Sequence, residues 1–455
     1  MCDGFGVAVT CTLRHGAGGG YLCCLVGARC ARRLRIVYPC PFSAPAPEPM
    51  PRLPRFEHRA VPIVLAAVTI DVIGFGIVMP VLPTLITQLG HMDLPAATRV
   101  AGWMLAMFAA AQFLAGPVMG HLGDRFGRRP VLMAAMTGFC LDYLLMALAP
   151  TLAWLFVGRA LAGVAGATFG PAGAVIADVT PPQRRSAVFG LLGAAFGVGF
   201  IIGPALGGLV ASFGPRAPFV VAAALAAINA ATMALFLPET LAPEHRRPFR
   251  LRDAHVIGAF RPLFHAGNAT PLLLAWFLWQ LGGVVYPATW SFWASLRFGW
   301  SATTIGWSLA WVGLLSIIVQ LGLTRRIVRR FGERGAAILG LSCAGACLVA
   351  YAFTTHGWQV YAFFLVGALG ALVYPAMNGT LSRMVDASRQ GALQGGIGSM
   401  NSVAAAGGPL LASQALAWGA GHGMDGAAFL VAAVLMFSAM AIIALGVPRE
   451  PSQSP

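Results

Sequence analysis

Three ionisable side chains interrupt long apolar runs: Asp71, Asp142 and Arg159. At the centre of a membrane-spanning helix each costs roughly 2.5–3.5 kcal/mol on insertion scales, so each needs a compensating role. A carboxylate at that depth is driven neutral when dry and charged when wetted, which is the chemistry of taking up and releasing a proton. Asp71 lies near the middle of its run, without a local partner, and Gly74, Gly76, Pro80 and Pro83 follow it, so its helix is deformable. Asp142 and Arg159 stand equally far from the turn at 150–151 and so at similar depth. A buried ion pair and a direct part in moving charge both fit that placement. The polar residues Gln112, Gln280, Gln320 and Asn401 also fall inside apolar runs. Interhelical hydrogen bonding is the ordinary role of any one of them, while Asp71, Gln112, Gln320 and Asn401 are the candidates for touching a small ligand.

Two short motifs lie beside these residues. One reads Gly120-His-Leu-Gly-Asp124-Arg-Phe-Gly127-Arg128-Arg129-Pro-Val. Its glycines allow a tight turn, Asp124 suits a helix N-terminus, and the planar fork of Arg128 suits a second acid, of which Asp178 is the nearest. The spacing predicts Arg128 within ion-pair reach of Asp178, and Asp124 near the start of a later helix around Gly391. The other motif, Gly199-Phe-Ile-Ile-Gly203-Pro204-Ala-Leu-Gly207-Gly208, places small residues four apart, which lets two helices approach closely.

The elements that position these residues follow from composition. The chain has 455 residues, 58% hydrophobic and only 10% charged, with mean hydropathy +0.76. That leaves too little polar surface for a water-soluble globule of this size. The net charge is +15, all of its basic residues are arginine, and they sit in short clusters between apolar runs, which argues against a nucleic-acid partner. Runs near 20 residues predict an all-α polytopic membrane protein. Twelve spans are expected at about 60–83, 98–119, 131–149, 152–178, 187–211, 215–238, 269–296, 301–323, 335–354, 357–380, 391–417 and 424–446. The organisation expected is an unstructured leader or mis-assigned start (1–49), a six-helix bundle (50–238), a cytoplasmic linker (239–268), a second bundle (269–447) and a tail (448–455). Twenty-one arginines flank the spans on one side against three on the other, so both termini are expected in the cytoplasm. An internal repeat supports two halves. Arg125-Phe-Gly-Arg-Arg129 recurs as Arg330-Phe-Gly-Glu-Arg334, and Gly190, Gly203 and Pro204 recur as Gly395, Gly408 and Pro409, all shifted by 205. Six of the nine cysteines lie in the leader, no CxxC pair exists and no histidine falls inside a span, so no metal site or resident cofactor is expected.

The loop around Asp124 and Arg128 resembles the signature of the major facilitator superfamily, and the Gly199–Gly208 segment resembles the motif of its antiporters. Ile70-Asp71-Val-Ile-Gly74-Phe-Gly76-Ile-Val-Met79-Pro80, Gly127-Arg128-Arg129-Pro130, Leu141-Asp142-Tyr143, Arg297-Phe-Gly-Trp300 and Gly391-Ala-Leu-Gln394-Gly395 together are similar to tetracycline/proton antiporters over about residues 58–447. The resemblance implies drug export by alternating access across the inner membrane, coupled to protons. A divalent metal enters only as part of a chelated substrate. It implies functional roles for Asp71, Gln112, Asp142, Arg159 and Gln320, proton coupling through Asp71 and Asp142, and a gating and charge-relay loop built from Gly120, Asp124, Gly127, Arg128 and Asp178. Its antiporter motif is Gly199, Gly203, Pro204 and Gly207. The sequence departs from the family at Ser316 and Ala344, where characterised members carry a histidine and a carboxylate. The expected partners are a small drug and the bilayer, and the expected state is a monomer. Two alternatives remain: a superfamily exporter of another amphipathic compound, and a non-transporting membrane sensor. An enzyme would need a nucleophile, base or metal set at one depth, and the spans hold none.

Overall fold

The computed structural model describes residues 9–11, 24–26, 58–246, 269–384 and 390–446. All of the tail and most of the expected linker lie outside the described residues. The chain divides into two compact units, Met1–Arg55 and Phe56–Pro455. In the first, β1 (Val9–Cys11) pairs antiparallel with β2 (Cys24–Val26), with Val9 opposite Val26. The rest of the expected leader, 1–49, lies outside the described residues. Both triplets are rich in β-formers, and their backbone groups satisfy one another.

The described elements of the second unit are all helices. Its N-terminal half holds α1 (Ala60–Val78), α2 (Leu82–Gly90), α3 (Leu94–Phe126), α4 (Arg128–Leu148), α5 (Leu152–Gly166), α6 (Phe169–Val179), α7 (Pro182–Val210) and α8 (Ala217–Phe236). Its C-terminal half holds α9 (Thr270–Gly283), α10 (Val285–Phe298), α11 (Ala302–Ile318), α12 (Thr324–Ala352), α13 (Gly357–Gly367), α14 (Val373–Arg383), α15 (Gln390–Gly421) and α16 (Ala427–Gly446). Among the described residues, ten helical stretches are long and apolar enough to cross a membrane. The twelve expected spans are not counted one for one by that measure. Residues 302–352 form one stretch of 51 residues, and Gln390–Gly421 is not among the ten.

Four expected spans are each split into two helices. α1 gives way to α2, α5 to α6, α9 to α10, and α13 to α14 through a 3-10 segment at Ala368–Leu372. A proline explains each break. Pro80 follows the end of α1, while Pro171, Pro287 and Pro375 are each the third residue of the restarting helix. Proline has no N–H to give the carbonyl four residues back, and its ring crowds that carbonyl. Asp93 starts α3 earlier than expected, its Oδ1 accepting from the Ala96 N–H at 2.9 Å.

Each half is layered. α4 packs on α8, and α12 packs on α16, as the outer helices of their halves. The halves meet along two seams, α3 with α15 and α7 with α11. Both seams are closed at one end and apart at the other. At the closed end a Cβ added at Gly102 would lie 3.0 Å from the Pro409 carbonyl oxygen, and Gly306 abuts the Pro204 carbonyl oxygen. Thr303 Oγ1 donates across this seam to the Gly208 carbonyl oxygen at 2.7 Å. Toward the arginine-rich end, Gly116 and Gly120 of α3, Gly190 and Gly193 of α7, Gly322, and Gly395 and Gly398 of α15 face open space. The space between the halves therefore opens at the arginine-rich end.

Candidate functional site

Asp71 sits in α1, half-buried, and is not alone. Its Oδ1 accepts from the Asn229 side-chain amide of α8 at 3.0 Å. Asn229 is buried and also donates to the Ala67 carbonyl oxygen at 3.1 Å, so it ties α8 to α1 around the carboxylate. The partner comes from a helix more than 150 residues away, which local reading cannot reach.

Asp142 of α4 and Arg159 of α5 form a buried ion pair through Oδ2 and Nη2, with side-chain exposures of 0% and 5%. Gly158 makes room for it, because a Cβ there would lie 2.7 Å from Asp142 Oδ1. Asp142 Oδ1 and Arg159 Nε have no hydrogen-bond partner among the described residues, so the pair is joined but not saturated. The Arg159 guanidinium also lies 5.8 Å from the centroid of the Phe108 ring. Arg159 reaches the surface of a cavity between the halves, lined from one side by Phe75 and Met104 and from the other by Pro287, Ser291 and Phe292. The same side chain thus belongs to a buried pair and to the cavity wall.

The loop after α3 is built around Gly127, whose φ of +105° and ψ of 160° suit glycine alone. A Cβ at Gly127 would strike the Glu239 carboxylate. Glu239 accepts from the N–H groups of Arg128 at 2.9 Å and Arg129 at 3.3 Å, capping α4. The helix start expected to meet Asp124 is another one, around Gly391. Asp124 instead bridges Arg128 one turn on at 2.7 Å, and Arg128 Nε reaches Asp178 at 3.4 Å. Gly120 is helical rather than part of the turn, and Gly123 leaves room for the Arg128 guanidinium, 3.1 Å from where its Cβ would be. The side chains around Gly391 lie outside the described residues, and this end of the α3–α15 seam is apart, as Gly120 and Gly395 show.

The second half repeats this arrangement with the charges exchanged. Gly332 is the break within α12, with φ 70° and ψ 172°. Glu333 follows it where Arg128 follows Gly127, and Arg383 stands in place of Asp178. Arg383 grips Glu333 with both terminal guanidinium nitrogens, Nη1 and Nη2, at 2.5 and 2.6 Å. Arg129 and Arg334 each donate to carbonyls near the end of the last helix of their half, Ala234 for the first and Ala444, at 2.5 Å, for the second.

Gly199, Gly203 and Gly207 of α7 press on α1 at Val72, Gly76 and Ile77, and Pro204 meets Gly76 and Gly306. This motif is a three-helix contact joining α1, α7 and α11. Gln112 donates to the Gly166 carbonyl oxygen at 2.8 Å, bonding α3 to the end of α5. Gln320 lies exposed in a π turn, Val319–Leu323. Asn401 Oδ1 accepts from Trp276 Nε1 at 2.8 Å. Gln280 is half-buried in α9. Ser316 bonds its own helix at the Val312 carbonyl oxygen, and Ala344 lies against Gly370. The sequence reading missed Asn229 and Glu239. Asn229 could have been found as a carboxamide standing in a span that is otherwise almost wholly apolar. Among the described residues no group of three His, Cys, Asp or Glu side chains could hold a metal ion.

The family profile described as Major Facilitator Superfamily matches residues 64–409 and, in a second overlapping match, 283–455. The chain belongs to the Major Facilitator Superfamily. Within the superfamily it is 40% identical to the tetracycline resistance protein, class C, of Escherichia coli, over 83% of this chain and 95% of that protein. It is 38% identical to the class G protein of Vibrio anguillarum, over 76% and 88%. Its fold is like that of the human organic anion transporter MFSD10, with a TM-score of 0.65 at 23% identity, covering 86% of this chain and all of that one. This superfamily member is a multi-pass membrane transporter rather than an enzyme.

Proposed function

We propose that the protein exports a tetracycline-like drug across the inner membrane by alternating access, in exchange for protons, with both termini in the cytoplasm and as a monomer. The likeness to tetracycline resistance proteins over nearly their whole length carries this reading. The site supports it chemically. Asp71 is the carboxylate of its span and is held by a neutral amide, so it can be ionised when the cavity is wetted and neutral when it is occluded. Asp142 is compensated by Arg159, a cation that also lines the cavity. An occupant or a proton that disturbs one member of this pair therefore changes the other. Any divalent metal arrives with the substrate, as a chelate.

Everted membrane vesicles test the proposal. The wild-type chain should accumulate tetracycline when the vesicles are energised and release protons on drug addition. Asp71→Asn should abolish energised uptake while the protein still inserts. Proton release by Asp71→Asn at the wild-type ratio would transfer the carrier role to Asp142. Ser316 and Ala344 favour a second reading, export of another amphipathic compound. Drug-susceptibility profiling of a pump-deficient bacterium expressing the chain separates the two.

A further inference from the structure

We infer that the C-terminal half carries an aromatic subsite, formed by Trp279 and Tyr374 against Trp276 and finished by the Asn401 amide, that takes planar fused-ring compounds. Trp276 and Trp279 stand on α9 with ring centroids 5.4 Å apart and planes at 78°. Tyr374 of α14 lies 5.4 Å from Trp276 and 6.3 Å from Trp279. Trp276 is fully buried and pinned by its bond to Asn401, so it serves as a rigid backing. Tyr374, in contrast, is 51% exposed.

The exposed ring faces the space between the halves. α9 is covered on its outer side by α16 and α14 by α12, and these two outer helices pack on each other. What remains uncovered of α9 and α14 is the side turned to the other half. That space is open at this level, since Gly398 on α15, one turn before Asn401, meets nothing. Asn401 spends its carbonyl on Trp276, and its NH2 group donates to nothing among the described residues. The wall is thus large, aromatic and uncharged, its rings tilted 47–78° to one another, with one free donor pair at its edge. Among the described acids of this half, Glu333 and Asp425 both stand near helix ends, so the wall selects by shape rather than charge. Aromatic faces hold flat π-systems by offset stacking or edge contact, and a bulky saturated cage cannot use that geometry.

The inference deepens the drug-export reading by naming the shape of its occupant, and binding tests it apart from flux. The full chain in lipid nanodiscs is titrated with an anthracene carboxamide, which is planar, and with an adamantane carboxamide, which is not. Trp279→Ala and Tyr374→Ala should each weaken the planar probe about 3–10-fold, the scale of one aromatic contact. The adamantane probe should change less than about twofold, and Tyr374→Phe should keep wild-type binding of both. Equal losses for both probes, or no loss for the planar one, would overturn the subsite. If the wild type binds the planar probe yet energised vesicles export no drug, the export reading falls and the subsite stands.

Discussion

The two halves share a scaffold and fill it differently. The N-terminal half buries charge: Asp142 on Arg159, with Asp71 held by Asn229 nearby. The C-terminal half buries rings. Trp290, Trp293, Tyr351 and Phe429 pack with Trp290–Trp293 centroids 5.3 Å apart and Trp293–Phe429 centroids 4.8 Å apart. Charge in a low-dielectric interior is costly and responsive, whereas packed aromatics are cheap and inert. Under the proposed function the halves would divide the work, one for titration and one for support and surface. The loops make the same point from the opposite direction. Gly127 and Gly332 keep their positive φ in both halves, while the side chains around them exchange sign, Arg128–Asp178 for Glu333–Arg383. The backbone turn is what both loops retain. The polarity of the pair is free to invert as long as it stays complementary.

Breaking the charged interior should have the largest effect. Asp142→Asn or Arg159→Gln alone leaves a buried ion uncompensated and should cost about 3–5 kcal/mol. The double substitution should recover part of that loss, read as the melting temperature of the detergent-solubilised protein. Additive losses would show the two groups acting independently. In the aromatic interior, Trp293→Ala should cost a comparable amount, about 3–5 kcal/mol, through the cavity it leaves. It should leave the proton-to-drug ratio of surviving molecules unchanged, which Asp71→Asn does not.

The hinges come next. Gly127→Ala forces a side chain into a backbone region reserved for glycine, at about 1–3 kcal/mol, and pushes on the Glu239 carboxylate. Glu239→Ala in the same background should then relieve the clash but not the strain, so rescue should be partial. The smallest effect is expected at the C-terminal pair. Arg383 is half-exposed, so Arg383→Ala should cost about 0.2–1 kcal/mol. Reversing both charges, Glu333→Arg with Arg383→Glu, should be milder in its effect on transport than either reversal alone.

The spans and the depth of Asp142 and Arg159 could be read from sequence because helix rise is fixed, so counting from a turn gives depth. Arg128 and Asp178 were legible because Asp178 closes the fourth expected span on the same side as that loop. Asn229 and Glu239 were not. Their partners are set by how α8 lies against α1 and α4, and no local period encodes that. The four split spans were half-visible. Pro80 stood out beside Asp71, but Pro171, Pro287 and Pro375 sit inside runs whose hydropathy carries on past them. The repeat at offset 205 located Gly332 and missed the exchanged pair, because Glu333 breaks the match at the position that matters.

The glycines along the seams sort a mutant library in advance. Gly102, Gly306 and Gly203 already touch another backbone, so larger residues there should appear as variants that fail to accumulate in the membrane. Gly116, Gly120, Gly190, Gly193, Gly395 and Gly398 touch nothing at present, so their alanine and valine variants should accumulate normally. These surfaces must nonetheless come together whenever the arginine-rich end shuts. Variants there should be abundant and inactive, a phenotype that a screen for expression alone would pass and a screen for resistance would discard. Deep mutational scanning with both readouts would thus map the closed state of an end that stands open here.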